Sequence, residues 1–182
     1  MIIKKSIIAL FIFLVPFCLF AQSETFSEYE VKAAFLEKFT RFIEWPYEEH
    51  IEDVNKPFVL GVIGENPFKS ILEKMYSQQK IKNKKVEIRY ISTLYEIDGC
   101  NLLFISQSEK YRINRILSYT EKKPILTICD EKEFSKKGVL ITQFVESNYV
   151  RFEINKNALQ KAGLFVSSLL LNLSKDINTA EN

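Results

Sequence analysis

The chain offers few side chains that could do chemistry. Its 182 residues contain one histidine, His50, set in a polar stretch. A lone imidazole with no cysteine or carboxylate cluster beside it argues against a zinc site. A Ser-His-Asp arrangement would have to recruit His50, and no G-x-S-x-G elbow exists to receive it. A surface histidine is the expectation. Gly61-x-x-Gly64 follows an apolar run and leads to Asn66 and Pro67. That is a strand-to-helix turn, where doubly wound proteins often hold phosphates. No G-x-G-x-x-G and no G-K-[ST] accompany it. It reads either as a tight turn or as a ligand site in which Gly64, Asn66 and the amides after it could hold an anion.

Two cysteines, Cys100 and Cys129, remain after the amino-terminal stretch. Cys100 precedes one predicted strand and Cys129 follows the next. If those strands are parallel, the thiols sit at opposite ends, roughly 15 Å apart at about 3.3 Å per residue. A disulfide needs Cα atoms within about 7 Å. No Cys100–Cys129 bridge is expected. Trp45, at a predicted helix end, could anchor a partner or close a core edge. Arg151 and Glu153 lie on the polar face of a predicted hairpin strand, open to cross-strand pairing or to a partner. An exposed edge there could also pair with another chain.

Behind these candidates stand the elements that position them. Residues 31–46 read as an amphipathic helix opened by a capping box, Ser27 to Glu30. Val31, Ala34, Phe35, Phe39, Phe42 and Ile43 fall on one face, and Lys32, Glu37, Lys38 and Arg41 on the other. Pro46 should end this helix at about Glu44. Residues 57–63 are apolar throughout, as in a strand buried on both sides. Asn66 with Pro67 should start a helix running to about residue 78. Strands follow at 86–91, 102–105 and 124–128, with helices marked by Ile113, Ile116 and Leu117 and by residues 131–136. Residues 139–145 and 149–154 form a hairpin across Glu146-Ser147-Asn148. Asn155 caps a helix that Gly163 ends, and residues 167–177 form the last. The fold class is α/β: a mostly parallel central sheet with an antiparallel edge hairpin and helices on both faces, covered by the first and last helices.

Residues 1–21 read as a signal peptide: Lys4 and Lys5, an apolar run over 6–20, and Ala21 before the cleavage point. The run is shorter than the roughly 20 residues that span a bilayer. The expectation is therefore a periplasmic protein, cleaved to a single domain over 22–182, with no stable membrane insertion after leader removal. The full chain holds 25 basic and 23 acidic residues. The leader's two lysines account for the excess, so a basic surface for nucleic acid is not expected.

Several of these stretches together resemble the YfiR-like family of secreted bacterial proteins. They are VKAAFLEKFTRFIEWP, Pro57 through Gly64, Cys100 to Glu109, and Val150-Arg151-Phe152-Glu153-Ile154-Asn155 running on to Ser167-Ser168 and Leu170-Leu171. The resemblance implies a non-enzymatic regulator that binds the outer domain of a membrane diguanylate cyclase and holds it off, with homodimers possible and no cofactor. Cys100 falls where the family often carries a cysteine. The cysteines that form disulfides in better-known members have no equivalents around 139–154, so a redox-controlled mechanism is not implied. The alternative is a small-molecule-binding sensor acting on another membrane signalling protein. A ligand sensor predicts a pocket beside Asn66. A partner-binding protein predicts an exposed apolar patch or a free strand edge. An enzyme predicts a cleft joining His50 to an acid and a nucleophile.

Overall fold

The computed structural model describes residues 27–47 and 51–174. The leader, the proposed cleavage point and His50 lie outside the described residues.

Five strands run parallel in the central sheet, and a sixth turns back at one edge. In chain order they are β2 (Phe58–Ile63), β3 (Val86–Ile91), β4 (Leu102–Ile105), β5 (Leu126–Cys129), β6 (Ile141–Glu146) and β7 (Tyr149–Ile154), with sheet order β3-β2-β4-β5-β6-β7. Only the β6–β7 pair is antiparallel. Its two turn residues, Ser147 and Asn148, both have positive φ, as a type I′ hairpin requires. Glu146 belongs to the strand and pairs with Tyr149.

The apolar runs read in the sequence are buried on both faces. Phe58, Leu60, Val62, Leu102, Phe104, Leu126 and Ile128 point into one core, with α1 (Glu28–Thr40), α2 (Ile71–Tyr76), α5 (Lys156–Lys161) and α6 (Ser168–Leu173). Val59, Ile63, Leu103, Ile105 and Cys129 point into the other, covered by a 3-10 turn at Leu94–Ile97, by α3 (Ile113–Thr120) and by α4 (Lys132–Ser135). The first and last helices thus share one core, where the sequence placed them across both faces. The middle helices, whose Ile113, Ile116 and Phe134 are buried, close the other side.

Helix α1 starts on its expected capping box: Ser27 and Glu30 bond reciprocally. Two expectations for it fail. The helix ends at Thr40, not near Glu44, because Ile43 and Glu44 form a short strand, β1 (Ile43–Glu44), antiparallel to β8 (Phe165–Val166). Phe42 O also accepts the Ser167 amide. Its buried stripe runs through Lys32, Ala33, Leu36, Phe39 and Thr40, offset from the predicted face, while Val31, Ala34, Phe35 and Phe42 are only partly covered. Lys32, expected in solvent, is 3% exposed.

One other helix start shifts. Asn66 does not cap α2; its side chain accepts from Phe68 N and donates to Lys69 O, closing an isolated turn. Lys69 then takes a positive φ that interrupts helical geometry, and α2 begins at Ile71. At α5 the expectation holds: Asn155 accepts from Ala158 N, and Gly163 has φ +72°. The last helix is described as far as Leu173.

Candidate switch-point crevice

The sheet order places the chain's reversal at β2. The connection from β2 leads to β3 on one side, and β4 then returns to the other. Open α/β sheets bind ligands outside the carboxyl ends of the two strands flanking such a reversal. Here those ends are Ile63 and Ile105, directly paired. The loops that follow, 64–67 and 106–110, form the rims of a crevice of ≈ 690 Å³ that also takes in Tyr29 and Asp130. A smaller cavity of ≈ 480 Å³ lies at the opposite end of the sheet, between α3 and α5.

Gly64 makes the sharp exit from β2 at φ +92°. A Cβ there would fall 2.9 Å from Glu109 Cγ and closer still to Ser108 Oγ. That hydroxyl accepts the Glu65 amide at 2.9 Å, so it ties the two rims together. Gly64→Ala is expected to cost about 1–3 kcal/mol, from backbone strain and from displacing Ser108. Urea unfolding measures it; a loss inside error would show that the rims are not tightly joined. Gly61 is needed for a different reason, since a Cβ there would lie 2.9 Å from Cys100 Sγ. Its place is in the core, away from the crevice.

Asp130 follows β5 directly, and its side chain is 9% exposed. Its Oδ2 accepts from Tyr29 OH at 2.8 Å and from Lys32 Nζ at 3.1 Å. Lys32 Nζ also meets Glu28 Oε1 at 2.5 Å. Burial first, then the Asp130 hydrogen bond, drives the Tyr29 phenol well above its ordinary range. On the far side of α1, the Lys32 carbonyl accepts from buried Gln143. The Asp130 carboxylate thus joins β5 to α1, and Gln143 separately joins β6 to the same helix.

The candidates separate. Gly64 and Asn66 both stand on the crevice rim. Trp45 is 7% exposed, edge-on to Phe58 with Lys82 over its ring, at the edge of the core. Arg151 is exposed beside the Tyr149 ring, and Glu153 is half-buried, both on the hairpin face away from α1. Tyr29, Lys32 and Asp130 were missed by sequence reasoning. Their available signals were a lysine inside Val31–Ala34 and a carboxylate immediately after an apolar strand. Among the described residues no group of histidine, cysteine and carboxylate side chains could hold a metal ion.

Both cysteines are buried and unpaired. Cys129 stands opposite Ile105, at the carboxyl end of β4, and Cys100 lies before its start. Burial pushes the Cys100 thiol up to about 11 and the Cys129 thiol to about 12. Iodoacetamide at neutral pH should therefore leave both unmodified in the native protein and label both after unfolding without reductant. One prompt native-state label would contradict this burial. The same shifts set an alkaline limit. Burial, then the hydrogen bond to Glu73, raises Tyr90 to about 12, and burial raises Tyr76. All these folded values lie above the unfolded ones. The stability they contribute is present below about pH 9 and is lost as pH rises from 9 toward 12. Melting temperature should fall across that window; a flat profile would contradict the shifts.

The fold and crevice define an α/β domain of the doubly wound type. The YfiR/HmsC-like family, DUF4154, matches over residues 29–175, and the chain belongs to that family. Membership implies a periplasmic regulator in cyclic-di-GMP signalling, a regulatory rather than a catalytic class. No curated protein matches the chain. Among solved structures, a conserved domain protein of Vibrio cholerae O1 biovar El Tor superposes with a TM-score of 0.55 at 9% identity. The match covers 82% of this chain and 60% of that one. The ABC domain from Streptococcus pneumonia, in complex with L-Trp, superposes with a TM-score of 0.47 at 13% identity, covering 65% of this chain and 54% of that one. Among the described residues no helix is long and apolar enough to cross a membrane.

Proposed function

We propose that the protein is a periplasmic regulatory binder that inhibits a membrane-bound diguanylate cyclase by docking on its periplasmic domain. The observation that carries this reading, beside the family, is a run of three exposed apolar side chains on β8 and α6. Phe165 on β8 is 64% exposed, and Leu169 and Leu173, one turn apart on α6, are 57% and 64% exposed. Exposed apolar groups gathered in one region mark interaction surfaces. The outer edge of β7 offers a second surface, with Arg151 and Glu153 on that strand. Such a binder acts by holding two receptor states with different affinity, and it needs no catalytic group.

The test uses the purified protein as bait on detergent extracts of the source membranes. A captured diguanylate cyclase whose activity falls on adding the protein supports the reading, and Leu169→Glu should weaken both effects. A captured sensor of another kind would keep the binder and remove the cyclase. Capture of no membrane protein at any salt concentration would overturn both. A second reading, a small-molecule sensor acting on a membrane signalling protein, is favoured by the crevice beside Asn66.

A further inference from the structure

The central sheet ends on β3 at one side and on β7 at the other. Along β7, hydrogen bonds to β6 fall at every second residue. Asn155 N donates to Leu140 O, so the bonded pairs continue at Glu153–Thr142, Arg151–Phe144 and Tyr149–Glu146. The backbone groups of Val150, Phe152 and Ile154 therefore point outward, and they make no hydrogen bond among the described residues. Such a row templates another strand unless charge protects it. The charges here are Arg151 and Glu153, which share the face opposite Phe152. Neither makes an ion pair among the described residues. Edge β3 carries the same spacing in Glu87 and Arg89, but those two bond each other at 2.6 Å, and Arg89 also donates to Asp98 O. The β3 charges are engaged within their own strand and the β7 charges are not.

Opposite charges at alternate positions make this edge self-complementary. Two copies of β7 can lie antiparallel with Phe152 opposite Phe152. The outward groups then meet in bonded pairs, Val150 with Ile154 and Phe152 with Phe152. Arg151 of each copy stands opposite Glu153 of the other, so the favourable pair forms twice. The two neighbouring registers that keep the outward groups matched fail on charge: one sets Arg151 opposite Arg151, the other Glu153 opposite Glu153. We propose that the free edge of β7 is a self-association surface, where two copies of the chain join antiparallel about Phe152 into one continuous sheet. The contact is isologous and closes at two copies. Its two-fold axis stands perpendicular to the sheet, so both α1 helices lie on one face. It uses none of Phe165, Leu169 and Leu173, and is independent of the receptor reading.

Sedimentation velocity of the purified protein at rising concentration tests it, and a monomer–dimer equilibrium is expected. Arg151→Glu and Glu153→Arg should each weaken dimerisation at least about tenfold, since two attractive cross-strand pairs become repulsive. Mixed in equal amounts, the two variants should recover a heterodimer of parental affinity, because the mixture again opposes unlike charges. Val150→Pro should abolish the dimer: it removes an outward N–H that is unbonded in the monomer, so the fold should persist. Circular dichroism checks the fold of each variant. Leu169→Glu should leave dimerisation unchanged. A protein that stays monomeric at about 100 μM would overturn the proposal. So would a dimer that both charge variants preserve, or a mixture that recovers no heterodimer. Growth beyond two copies would overturn the two-fold pairing.

Discussion

Asp130→Ala unfolds at a markedly lower urea concentration than the parent, with an expected loss of about 3 kcal/mol. The cause is the partner left behind. Lys32 is 3% exposed, and its ammonium sits between Asp130 and Glu28. Removing one member of a buried ion pair typically costs about 3–5 kcal/mol, because the remaining charge stays desolvated. The estimate takes the lower end because Glu28 remains beside Lys32, although the Glu28 side chain is 48% exposed and screened by water. Tyr29 loses its acceptor in the same variant. Lys32→Met should cost less, since methionine fills the stem's volume and leaves Asp130 bonded to Tyr29. The double variant Lys32→Met/Asp130→Ala should then be more stable than Asp130→Ala alone, which is the signature of a coupled pair. Additive losses would show that Lys32 and Asp130 are not coupled.

Phe39→Ala should be at least as damaging, with a loss of about 3–5 kcal/mol. Phe39 is 1% exposed and is packed edge-on to Phe152 at 5.0 Å between ring centroids. Phe35 adds a tilted contact at 5.6 Å. Truncation leaves a cavity between α1 and the hairpin, in a region whose neighbours are fixed by the sheet and cannot collapse into it. Phe35→Ala should cost clearly less, because Phe35 is only partly buried and water can replace part of what it loses. Urea unfolding of the pair measures the contrast. Equal losses would mean that the helix is turned about its axis from the orientation described, toward the face the sequence pattern favoured.

That pattern is instructive about what local chemistry can carry. The parallel strands were legible because each is a short apolar run bounded by turn residues. The β6–β7 hairpin was legible from its alternation. The α1 capping box and the Asn155 cap involve only neighbours three residues apart, so they too could be read directly. Two of the misreadings depend on distant residues, and one on a nearby backbone turn. Lys32 appears solvent-facing until Asp130, far along the chain, is known to stand beside it. Ile43 and Glu44 continue a helical pattern, yet Val166 and Phe165 draw them into a strand. Asn66 and Pro67 resemble a helix start, but the interruption at Lys69 confines them to one turn. At the site, Gly64 and Asn66 could be placed on a strand-end turn from their types alone. Tyr29 and Asp130 could not, because their role arises only when β5 and α1 are brought together.

The β1–β8 clasp has a consequence for how the protein reaches its folded state. It pairs Ile43 with Val166, so it joins a segment near the start of the domain to one near its end. Closing so long a loop is entropically unfavourable, and the gain comes only after the intervening sheet has shortened the path. The clasp therefore forms late. A chain emerging amino end first cannot bury Ile43 in its final setting until β8 has followed, and until then α1 keeps part of its aromatic face uncovered. A polypeptide delivered as an extended thread remains threadable until its last elements arrive, and it locks only when its two ends meet.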